Sequence, residues 1–178
     1  KDSTYALCQL VEMGLRVYAF TLDNGFIAEG AKENIRRVAA QLGVPVEFAA
    51  TPAMPAIFRD SLARFANVCN GCFKTVYTLA VNLAREKGIR HIVTGLSRGQ
   101  FFETRLTPEV FQTPGFDVNE IDNAILAARK AYHRREDVIS RELDVDAFRN
   151  DALFEDIQFV DFYRYCNVSL GELYEFLD

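Results

Sequence analysis

The chain has 178 residues and a mass of 20.2 kDa, enough for one domain or one domain with a short appendage. Hydrophobic residues make up 49% and charged residues 25%, a mixture that excludes a disordered, collagen-like or low-complexity polypeptide. No apolar run nears the ~18 residues that a membrane span needs. The net charge of −5 and pI near 5.1 disfavour a fold-wide basic face for nucleic acid but leave room for a local patch.

In chain order, Leu7, Leu10 and Val11 mark a helix from Ser3 to Gly14, where glycine stops it. Leu15 to Leu22 is apolar and rich in strand formers, and it ends at Asp23-Asn24-Gly25. Ala28 to Leu42 puts Ala31, Ile35, Val38, Ala39 and Leu42 on one helical face, closed by Gly43. Val44 to Ala50 reads as a second strand. Pro52 to Ala66 reads as a helix through Met54, Ile57, Phe58, Leu62 and Phe65. After Cys69-Asn70-Gly71-Cys72 a helix carries Val76, Leu79, Ala80, Leu83 and Ala84 as far as Gly88, and Ile89 to Leu96 is the next strand. Beyond Thr107 the texture changes. Thr113-Pro114-Gly115 marks a turn, and Asp117 to Arg135 reads as a helix through Ile121, Ile125, Ala128 and Tyr132. Its basic end, Arg129 to Arg135, reads as a solvated face, with a phosphate or substrate contact as the alternative. Ile157 to Tyr163 reads as a short strand, and Ser169 with Glu172 as a capping box for a last helix.

Strands alternating with helices over short connections predict an α/β fold, βαβ units forming a parallel sheet covered on both faces. Ligands of such sheets bind beyond the carboxyl ends of the strands. The polar segments at those ends are Asp23-Asn24-Gly25 and Ser97-Arg98-Gly99-Gln100. Lys1-Asp2-Ser3-Thr4 runs straight into the first helix. Such a stretch serves as an N-cap or, through free backbone N–H groups and the helix dipole, as an anion site.

Lys1-Asp2-Ser3 with Thr4, then Leu22-Asp23-Asn24-Gly25, then Thr94-Gly95 resemble, in this order, motifs of the PP-loop superfamily of N-type ATP pyrophosphatases. The family signature Ser-Gly-Gly-x-Asp-Ser would end on Lys1, Asp2 and Ser3. The resemblance implies a Rossmann-like, adenine nucleotide alpha hydrolase-like sheet. It implies a PP-loop ATP-binding core over residues 1–106 and a mostly helical C-terminal extension over 107–178 packed on that core. It further implies that Asp2, Ser3, Thr4, Leu22, Asp23 and Gly95 bind ATP with Mg²⁺, and that Lys1, Asp2, Arg98 and Glu103 take part in catalysis. Arg98 and Arg105 would face the phosphates or the acceptor.

The sequence departs from the family twice. The first strand and the Ser-Gly-Gly are not present, which implies a longer protein or omitted residues. After the third strand, Gly95-Leu96-Ser97-Arg98-Gly99-Gln100 keeps the glycine and arginine of the tRNA-thiolating members but not their two aspartates, for which Glu103 is the substitute.

Four cysteines are too few for a secreted disulfide scaffold, and the chain reads as cytoplasmic, with no membrane partner. The CxxC points to metal or redox chemistry, and its place at a helix start predicts lowered thiol pKa values. Cys8 reads as packing and His91 as a structural histidine. Some tRNA-thiolating members resemble this layout, with a CxxC and one distant cysteine holding an iron–sulfur cluster. Cys69, Cys72 and Cys166 are thereby implied as ligands of a [4Fe–4S] cluster, with Zn²⁺ as the alternative. The implied reaction is adenylation of an acceptor oxygen with release of pyrophosphate, followed by sulfur transfer. The alternatives are nitrogen transfer from an ammonia donor, as in the sugar amidotransferases, and a nucleotide-binding module without chemistry. The acceptor is small or macromolecular, with nucleic acid disfavoured by the net charge.

Overall fold

The computed structural model describes residues 1–96 and 118–177. The fold is mixed α/β. Its elements are α1 (Asp2–Glu12), β1 (Ala19–Leu22), α2 (Glu29–Gln41), β2 (Val46–Ala49), α3 (Met54–Phe65), α4 (Cys69–Glu86) and β3 (His91–Thr94). They continue with α5 (Val118–Arg134), α6 (Val138–Glu142), α7 (Asp146–Arg149), α8 (Leu153–Asp156), β4 (Gln158–Asp161), α9 (Phe162–Tyr165) and α10 (Leu170–Leu177).

The strands form two parallel pairs. β1 pairs with β2 in the register Ala19↔Val46 to Leu22↔Ala49, and β3 pairs with β4 from His91↔Gln158 to Thr94↔Asp161. Among the described residues β1 and β3 each have a partner on one side only. The first ladder is shorter than the apolar run from Leu15 suggests, because Pro45 has no N–H to donate. Its carbonyl takes the Ala19 N–H at 2.9 Å and the pairing starts there. The expected strand from Ile157 to Tyr163 likewise stops at Asp161, and Phe162 and Tyr163 are buried on the short helix α9 instead.

Helix α4 packs against both β1 and β3 and is the axis of the core. Gly71, Lys74, Thr75, Thr78 and Val81 lie at helical spacing on its buried face. Thr75 and Thr78 are buried without cost in unsatisfied hydroxyls, since each donates to the carbonyl four residues back, Gly71 and Lys74, at 2.8 Å. One apolar cluster joins Leu22, Ile57 and Val81 to Ile139, Val145, Phe148 and Ile157. A second, of Ala6, Phe162, Tyr163 and Leu173, ties α1 to α9 and α10. No helix among the described residues is long and apolar enough to cross a membrane.

Candidate functional site

At the end of β1 the Asp23 N–H donates to the Ala49 carbonyl at 2.7 Å, prolonging the ladder by one step. The Asp23 carboxylate then turns back, accepting from the Gly25 N–H at 3.0 Å while Lys32 of α2 stands 2.5 Å from its other oxygen. The Lys32 ammonium and the Gly25 N–H hold this carboxyl below the ordinary carboxylate range. Gly25 has φ +83°, which a residue with a Cβ adopts only under strain. The next residue, Asn24, accepts from the Phe26 N–H and turns its amide toward the Cys72 sulfur, 3.8 Å away.

At the end of β3, Gly95 meets the start of α1 backbone to backbone. A Cβ at Gly95 would stand 2.6 Å from Ser3 Cα and 2.9 Å from Ser3 N, closer than any side chain tolerates. Two sequence-predicted segments, far apart in the chain, are therefore in contact. A three-residue stretch at the end of β4 holds both. The Thr94 hydroxyl donates to Asp161 Oδ1 at 2.7 Å, and the Tyr163 hydroxyl donates to the Asp2 carbonyl at 2.8 Å. Burial, and then the charges of Asp2 and Cys166, push the Tyr163 phenol up to about 12. Arg129 closes the network, 3.5 Å from Asp161 Oδ2 with its guanidinium over the Phe159 ring.

A cleft of about 280 Å³ opens beside this junction, lined by Lys1, Asp2, Tyr163, Cys166, Asn167 and Ser169 with three apolar neighbours. Lys1 rests over the Tyr174 ring, 4.8 Å from its centroid. No side chain caps α1. In the first turn of α4, Asn67 Oδ1 takes the Asn70 N–H at 3.1 Å and Ser61 Oγ takes that of Gly71 at 2.9 Å.

The first turn of α4 holds the CxxC. Cys69 is exposed and Cys72 half-buried. The expectation of lowered thiol pKa values fails for Cys72, because burial pushes its thiol up and outweighs the Asn24 contact. Cys166 belongs to the other group, beside Tyr5 and in the cleft with Lys1 and Asp2. Among the described residues no three of His, Cys, Asp and Glu stand together so as to hold a metal ion.

Arg98, Glu103 and Arg105 lie outside the described residues. The basic run is the solvated face that its composition predicts only in part, with Arg134 and Arg135 exposed. Arg129 and His133 are buried, His133 stacking on Phe148 with ring centroids 4.1 Å apart, while Lys130 and Arg134 both pair with Asp151. His91 is exposed at the start of β3. Sequence reasoning also missed Lys32, Asp161 and Tyr163, whose partners are remote or ordinary in sequence, and Lys74, which a buried stripe of small and polar residues at helical spacing could have flagged.

Compared with family models, with curated proteins and with solved structures, the chain matches none.

Proposed function

We propose that this protein binds the triphosphate of ATP, accompanied by Mg²⁺, at the start of α1 and activates an acceptor oxygen by transfer of AMP. The observation that carries the reading is the junction at Ser3 and Gly95. There an α1 terminus without a side-chain cap is pressed against the end of a parallel strand, beside a cleft of about 280 Å³. Such a terminus offers backbone N–H donors and the positive end of the helix dipole to phosphate. Lys1 adds a cation at the mouth, and Asp23 at the end of β1 is held ionised for a ribose or base contact. In this reading the two parallel pairs belong to one Rossmann-like sheet, with a further strand between β1 and β3. The packing of α4 on both pairs supports that arrangement. Displacement of AMP by a sulfur or nitrogen nucleophile completes the proposed reaction.

Pyrophosphate exchange into ATP tests the reading directly, with hydrogen exchange at Ser3 and Thr4 as a separate measure of binding. A non-hydrolysable ATP analogue with Mg²⁺ should slow exchange at α1, and Ser3→Asp should abolish that protection. Protection confined to other elements would sink the proposal.

A second reading, a nucleotide-binding module without chemistry, is favoured by one observation. Both carboxylates at the described strand ends are already engaged, Asp23 by Lys32 and Asp161 by Arg129 and Thr94. Binding without exchange of pyrophosphate would select it.

A further inference from the structure

We propose that Cys69 and Cys72 form a redox dithiol that exchanges with low-molecular-weight disulfides, Cys69 as the attacking thiol and Cys72 as the resolving one. The inference is independent of the nucleotide reading and starts from the asymmetry of the pair. Cys69 is the first residue of α4, exposed to solvent, and follows Val68, whose side chain makes no cap. Cys72, one turn on, is half-buried and has its sulfur 3.8 Å from the Asn24 amide. An external disulfide reaches the first sulfur far more readily than the second.

The residues between them are fixed from three directions. Ser61 of α3 accepts from the Gly71 N–H at 2.9 Å and itself donates to the Asn67 carbonyl at 2.7 Å. Asn67 accepts from the Asn70 N–H, and the Tyr132 hydroxyl donates to the Asn70 carbonyl. Gly71 is the residue that fits, because a Cβ there would stand 2.9 Å from both Ile57 Cγ2 and Ser61 Cβ. Cys72 is therefore anchored, and the freedom lies at Cys69.

Residues three apart on a helix have Cβ atoms about 5–6 Å apart, and a disulfide requires ~3.5–4.5 Å. The closing movement of roughly 1–2 Å falls on the helix end, where the fewest hydrogen bonds resist it. Cys166 lines the cleft beside Asp2 and Tyr163.

The exchange balances in two steps. The Cys69 thiolate attacks one sulfur of the small disulfide, forming a mixed disulfide and releasing one thiolate. The Cys72 thiolate then attacks the Cys69 sulfur, forming the Cys69–Cys72 bond and releasing the second. The two protons lost by the protein are taken up by the two released thiolates. The protein dithiol is oxidised, and the small disulfide is reduced to two thiols.

The test uses the whole chain, reduced and then equilibrated with mixtures of oxidised and reduced glutathione, and read by intact mass and peptide mapping. The expected product has lost two hydrogen atoms and carries a Cys69–Cys72 link, reversibly with the glutathione ratio. Cys72→Ser should stop at a glutathione adduct on Cys69, whereas Cys69→Ser should leave Cys72 without adduct or disulfide. Cys166→Ala should behave as the parent chain. The unsubstituted chain decides the first point even if a variant fails to fold. A link involving Cys8 or Cys166, an adduct that never resolves, or protection of both thiols by stoichiometric zinc in the reduced chain would overturn the proposal.

Discussion

Lys74, which sequence reasoning passed over, is a buried charge with a buried partner. It leaves 2% of its surface to solvent, and its ammonium donates to Asp137 Oδ2 and to the Arg135 carbonyl, both at 2.7 Å. Burial lowers its pKa, and Asp137 opposes the shift. Asp137 also caps α6, accepting from the Ser140 N–H at 3.0 Å. Asp137→Ala would therefore strand a buried ammonium and remove a cap, with an expected loss of about 3–5 kcal/mol. Lys74→Met should cost less, since it removes the charge that needs a partner. Urea unfolding of the two variants checks the order, and an unchanged midpoint for Asp137→Ala would show that the pair carries nothing.

Tyr163 gives a prediction in pH. Its phenol is raised to about 12, so its contribution to stability is fully present below the ordinary tyrosine value and lost as pH rises through about 12. Ultraviolet titration of the native chain should show a late phenolate step, absent in Tyr163→Phe and shifted into the ordinary range in urea. At this scale Asp2, Ser3, Asp23 and Gly95 stood out as candidates because they belong to short local motifs. Arg129, Asp161 and Tyr163 did not, because each is defined by a partner that only the fold brings near.

Elements were legible where a period repeats. The expected Ala28–Leu42 and Pro52–Ala66 helices are α2 and α3 to within two residues at each end, and Gly43 with φ +65° closes the first as expected. The capping box at Ser169 is formed as read, its two hydrogen bonds with Glu172 measuring 2.8 and 3.2 Å. Helices α6, α7 and α8 went unread because four or five residues contain no repeat of a 3.6-residue period. The strands were read too long because apolar composition marks burial, whereas a ladder ends where its partner does.

Two glycines separate freedom from packing. Gly71→Ala would drive a methyl into Ile57 and Ser61 and cost about 1–3 kcal/mol. Gly30, in the first turn of α2, has nothing within 4 Å of the added Cβ, so Gly30→Ala should gain about 0.4–1 kcal/mol. Thermal unfolding of the pair checks both signs.

At the scale of the whole molecule, the segments on either side of residues 106–107 share their packing. β4, from the C-terminal segment, is the partner of β3, and α10 packs against α1. The main core cluster runs from Leu22 at the end of β1, through Ile57 and Val81, to Phe148 and Ile157. Because α4 touches both strand pairs, a cavity anywhere in that cluster should loosen both together. Phe148 is the place to make one. It is fully buried on the short helix α7, stacks on His133, and carries no polar group whose loss would confuse the result. Phe148→Ala should cost about 3–5 kcal/mol. It should lower the urea midpoint in a single transition with unchanged slope, because the surface exposed on unfolding stays the same. Hydrogen exchange gives the sharper reading. The amides of β1–β2 and of β3–β4 should lose protection by the same free energy, since both would open only with the core. Loss confined to β3–β4, with β1–β2 protected as before, would mean that the two halves unfold separately despite their shared helix.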